Sequence, residues 1–80
     1  MNDQDVLAQI ERLLAEEHRL EQRHLGEGLA GQDRQRLREL AVGLDQCWDL
    51  LRQRRARRAA GLDPEDADVR SESTVEGYRQ

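Results

Sequence analysis

Three glycines in six residues, the stretch GEGLAG from Gly26 to Gly31, constrain this chain more than any other feature. A helix cannot run unbroken through such a stretch, because glycine carries the largest backbone-entropy cost of any residue apart from proline's steric block. On both sides of it the apolar residues recur at helical spacing. The chain is therefore expected to be two helices joined by a short turn, which brings them together as an antiparallel hairpin.

Helix 1 is predicted over about 3–25. Asn2 or Asp3 can accept hydrogen bonds from the first free N–H groups, and Asp5 adds favourable charge to the first turn. At about 100° per residue, Val6, Ile10, Leu13, Leu14 and Leu20 share one sector, with Leu7 and Leu25 at its edge. Helix 2 is predicted over about 31–60. Leu37, Leu40, Leu44, Cys47 and Leu51 form a seam at spacings of three and four, widened by Ala41 and Trp48 into a bundle-type face. Gly61 is placed to end it, with Pro64 three residues beyond.

From Gly61 onward the composition changes. In GLDPEDADVRSESTVEGYRQ, Asp63-Pro64 can open one helical turn, and Val69, Val75 and Tyr78 are the main apolar residues beyond it. This tail, residues 61–80, is expected to run extended along the bundle or to be disordered. A two-helix hairpin of 80 residues leaves much of its apolar seam in water, so a homodimer that completes a four-helix bundle is expected.

Composition limits the chemistry. Cys47 is the single cysteine, so no disulfide can staple the chain, and a reducing, cytoplasmic setting is expected. The N-terminal MNDQDVLAQI lacks the basic and apolar regions of a signal peptide, and no segment approaches the ~20 apolar residues of a membrane span. All thirteen basic residues are Arg, which reads as a high-GC genome signature, and the net charge of −4 argues against general nucleic-acid binding. No nucleophile–histidine–acid arrangement and no phosphate-binding glycine loop is readable, so no enzyme activity and no cofactor are expected.

Two local features carry the functional alternatives. In EEHRLEQRH, Glu16 to His24, helical phase directs Glu17, Glu21 and His24 into the apolar sector. Glu21 and His24 have the E-x-x-H spacing of di-iron bundles, and Asp33 is the inward carboxylate of helix 2 that can join them as a metal site. Glu39, the other nearby acid, faces outward. The competing reading makes this stretch the polar end of a dimer interface. With the loops of two copies at opposite ends, Glu17, Glu21 and His24 meet the arginines of the other copy's helix 2, where Arg55 and Arg58 are read as inward and Arg54 as flanking. The expected interface set is Ile10, Leu14, Glu17, Glu21, His24, Leu37, Leu40, Leu44, Cys47, Trp48, Leu51 and Arg55. His18, at the sector's edge, reads as a half-buried surface residue.

The second feature is RQRRARR, in which Arg52, Arg54, Arg55, Arg57 and Arg58 can grip phosphates. Asp3, Asp5 and the following DPEDAD lie close enough to neutralise them, and no aromatic residues interleave for base stacking.

The block LDQCWDLLRQRRARR, Leu44 to Arg58, together with EEHRL and the terminal VEGY, resembles a family of small actinobacterial proteins catalogued as domain of unknown function 2630. The resemblance spans essentially the whole chain and implies a helical hairpin. It supplies no activity, cofactor or catalytic residue. Relatives tend to open helix 2 on a Ser-Pro cap where this chain has Ala30-Gly31.

Overall fold

A computed structural model of the chain describes residues 1–23 and 31–70. Among them the architecture is all-helical: α1 spans Asp3–Arg23, α2 spans Gly31–Ala59, and a single 3-10 turn, α3, covers Pro64–Asp66. The predicted end of helix 1 at His24 or Leu25, the GEGLAG turn before Gly31, and Val75 and Tyr78 lie outside the described residues.

Local chemistry accounts for each boundary. Asn2 caps α1 reciprocally: its side-chain oxygen accepts from the Asp5 N–H at 2.8 Å, and the Asp5 carboxylate accepts from the Asn2 N–H at 3.0 Å. This is a capping box with Asp in the usual Glu position, and it satisfies two donors that a helix start leaves free. At the other end of the hairpin sequence, Gly61 adopts φ +75°, a left-handed conformation that glycine accepts at no steric cost. The Leu62 N–H then donates to the Arg57 carbonyl at 2.8 Å and the Gly61 N–H to the Arg58 carbonyl at 3.1 Å. These two bonds make a Schellman cap and turn the chain back. Asp63 caps α3 by accepting from the Glu65 N–H at 2.9 Å, with Pro64 at the first helical position, where its missing N–H costs nothing.

The two long helices run antiparallel. Asp3 meets Arg54 and Arg58 at one end, and Glu16 meets Arg36 toward the other. Val6, Ile10 and Leu20 of α1 and Leu40, Leu44 and Leu50 of α2 are the buried apolar residues, with Leu13, Cys47, Leu51 and Ala67 half-buried around them. The helices approach closely at Gly43, where an added Cβ would lie 3.3 Å from Leu13 Cδ1.

The first ten residues of the tail lie against α2. After α3 the chain passes back along α2, where the Asp68 carbonyl accepts from Gln53 Nε2 at 2.6 Å and the Arg70 carbonyl from Gln46 Nε2 at 3.2 Å. Residues 62–70 thus lie along one side of the hairpin. The core gains Leu50 and Ala67 from this arrangement, neither of which belongs to the helix 2 seam read from the sequence.

Candidate interaction surface

The arginine-rich end of α2 is occupied by the chain's own carboxylates. Arg54 is 5% exposed and forms a hub: Nε donates to Asp3 Oδ1 at 2.6 Å, Nη1 to the Pro64 carbonyl at 3.1 Å and Nη2 to Glu65 Oε1 at 3.2 Å. Arg58 adds two bonds to Asp3 at 2.7 and 3.1 Å. Hydrogen bonds from Arg58 and then Arg54 hold the Asp3 carboxyl at about 2, well below its ordinary 3.8. The Met1 ammonium pairs with Glu65 at 3.0 Å and, with Arg54, lowers that carboxyl too. Arg57 donates to the Asp63 carbonyl at 2.6 Å and pairs with Asp66 at 3.5 Å. Of the five arginines that can grip phosphates, Arg54, Arg57 and Arg58 therefore spend donors on these groups of their own chain.

These placements differ from those read from helical phase. Arg54, expected at the flank, is the buried one, while Arg55 and Arg58, expected inward, are exposed. The reason is angular: Arg54 stands three residues past Leu51 and seven past Cys47, so it continues the seam, and carboxylates from two other segments neutralise it there.

The stretch that suggested a metal site is also rearranged. Glu21 is exposed, Glu17 and Asp33 are half-buried, and His24 lies outside the described residues. Among the described residues no three His, Cys, Asp or Glu side chains group to hold a metal. Glu16 forms the cross-helix contact instead. Arg36 grips it with Nε at 2.5 Å and Nη2 at 2.8 Å, a bidentate pair that pulls the Glu16 carboxyl below its ordinary range.

The hairpin presents two unlike faces. On one, residues 62–70 leave a groove of about 400 Å³ bordered by Leu13, Gly43, Cys47, Leu50 and Val69. Cys47 opens into this groove, and burial pushes its thiol above the ordinary range. Further round α2, Asp49 is 0% exposed; Gln53 donates to it at 2.9 Å and Arg70 pairs with it at 3.5 Å. No apolar periodicity marks Asp49 as interior.

The opposite face carries exposed apolar side chains. Leu7, Leu14 and Glu21 repeat every seven residues along α1, and Ala41, Trp48 and Arg55 repeat every seven along α2. In antiparallel helices these two rows turn to the same side, away from Gln9, Leu13, Gly43, Gln46 and Leu50 on the groove side. Leu7, Leu14 and Trp48 keep 43%, 44% and 44% of their surfaces exposed, and half-buried Leu37 and Leu51 border them. The result is one apolar stripe with an acid at the loop end and a base at the other. Of the other predicted interface residues, Ile10, Leu40 and Leu44 fill the space between the chain's own helices. Cys47 faces the groove.

Known proteins resemble the chain along nearly its whole length. An uncharacterized protein of Mycobacterium tuberculosis is 48% identical over 77 residues, covering 95% of this chain and 88% of its own length. An uncharacterized protein of Mycobacterium bovis matches to the same extent. No solved structure matches. The family described as "Protein of unknown function (DUF2630)" matches residues 2–80.

Proposed function

The chain belongs to the family of DUF2630 proteins, and from that premise we propose that it is a non-catalytic helical interaction module that works as a homodimer. The observation that carries this reading is the exposure of Leu7, Leu14 and Trp48, large apolar side chains on the side of the hairpin that residues 62–70 do not cover. Among the described residues six apolar side chains are buried, a small core, and small scaffolds commonly complete theirs by oligomerising. A second copy laid on the stripe makes a four-helix bundle, the architecture in which each helix buries a stripe wider than a single coiled-coil seam.

The arginine-rich end supports the same assignment by a different route. With Arg54, Arg57 and Arg58 paired to carboxylates and two carbonyls of their own chain, phosphate recognition by these three would require breaking those pairs first. Among the described residues no helix is long and apolar enough to cross a membrane. Together with a free, half-buried Cys47, this fits a module working in a reducing cytoplasm.

Light scattering on size-exclusion eluate at micromolar concentration tests the proposal. The expected mass is twice the 9.3 kDa of the chain, falling to one copy in Leu14→Glu with helicity retained. A folded wild-type monomer at that concentration overturns the reading.

A further inference from the structure

The charges at the two ends of the apolar stripe specify how a second copy lies on it; this deepens, and rests on, the homodimer reading above. Level positions along the hairpin follow from its contacts: Asp3 lies opposite Arg54 and Arg58, Leu13 opposite Gly43 and Glu16 opposite Arg36. Arg55 is therefore level with the start of α1, below Leu7, while Glu21 lies two turns above Leu14. Both side chains are exposed and both continue the apolar rows, so they bracket the stripe from opposite ends.

A twofold dimer can bury this stripe in two ways. With the loops together, each end of the bundle gathers like charges, Glu21 beside the other copy's Glu21 and Arg55 beside the other copy's Arg55. Turned end for end, the same face sets Glu21 of each copy toward Arg55 of the other and replaces two like-charge encounters by two opposite ones. The apolar residues agree with the second arrangement. The midpoint between Leu7 and Leu14 falls near the midpoint between Glu21 and Arg55, so reversal lays Leu7 on the second copy's Leu14. The same operation brings bulky Trp48 toward the small Ala41 of the other copy, large against small, as interdigitating layers require.

We infer that the protein forms an end-for-end homodimer, loops at opposite ends, in which Glu21 of each copy pairs with Arg55 of the other and sets the orientation. Like-charge contacts act here as the device that rejects the loops-together alternative.

Two measurements on the full chain test this. Dimer dissociation constants are compared for wild type, Glu21→Arg, Arg55→Glu and the double variant, with circular dichroism confirming that each is folded. Each single reversal is expected to weaken the dimer roughly tenfold, and the double reversal to recover to within about threefold of wild type. A double variant no tighter than the singles overturns the pairing. Independently, a spin label at Gln22→Cys in a Cys47→Ser background reports the distance between loop ends. End-for-end packing places the labels about 30 Å apart, near the length of α1, and loops-together packing places them well under that. A short distance in a protein that is dimeric by light scattering refutes the orientation and leaves the homodimer standing. A monomeric wild type removes both.

Discussion

Gly43 offers the sharpest test of how the two helices meet. It sits in the interior of the 29-residue α2, where glycine costs ~1 kcal/mol relative to alanine because the unfolded chain has more freedom to lose. Against that gain stands one contact. The new methyl of Gly43→Ala would lie 3.3 Å from Leu13 Cδ1 and 3.9 Å from Cδ2, so Leu13 must yield by a few tenths of an ångström. It has room to do so, since Leu13 borders the groove of about 400 Å³ on that side. The helix preference therefore wins, and the net effect is a stabilisation of about 0.5–1 kcal/mol, or roughly 2–8 °C in Tm. Gly43→Val reverses the sign, because its two γ-carbons press further toward Leu13, and overpacking of this kind costs ~1–3 kcal/mol. Urea unfolding followed by circular dichroism at one fixed protein concentration measures both variants. Loss of more than ~1 kcal/mol in Gly43→Ala would refute the claim that Leu13 can move. A valine as good as alanine would show that the helices do not approach closely at Gly43.

Two further outcomes follow from the charge network and from Cys47. Because the Asp3 carboxyl sits at about 2 rather than 3.8, the stability it contributes is fully present above pH ~4 and is lost as pH falls through ~2, with Glu16 and Glu65 acting in the same direction. Asp3→Asn should flatten the urea-midpoint profile over that acid range while leaving the Asn2–Asp5 cap intact, and equal slopes in the two proteins would contradict the pairing. Cys47, its thiol raised by burial, should react with an aromatic disulfide reagent at neutral pH far more slowly than in urea. Equal rates would mean the groove does not shield it.

What was legible in the sequence was what local rules decide. The α1 seam through Val6 and Ile10, the reversal at Gly61 and the Asp63-Pro64 cap each depend on residues within one or two turns, and each is found where the spacing placed it. Leu50 and Asp49 escaped because their burial is not imposed by the facing helix, whose seam is the only partner that periodicity reports. The Arg54 hub was hidden differently. Its angle continued the seam from Cys47 and Leu51, but a charge at a core position has to be matched by partners, and here they come from 51 residues upstream and 11 downstream. Within the candidate surface, Leu14 and Trp48 were legible as members of the two apolar faces, but which side of the hairpin stays open depends on the course of residues 62–70.

The Arg54 hub also bears on the order in which the chain assembles. Its guanidinium joins α2 both to the first turn of α1 and to α3, so the docking surface for α3 is incomplete until the helices have met end to end. Closing Asp3 onto Arg54 spans almost the whole hairpin, whereas α3 lies only a short loop away and adds little closure entropy once the helices have paired. Residues 62–70 should therefore lock down last and release first. Their amides would exchange with solvent through a partial opening that leaves the helical pair intact, giving the protein two tiers of cooperativity within one small fold.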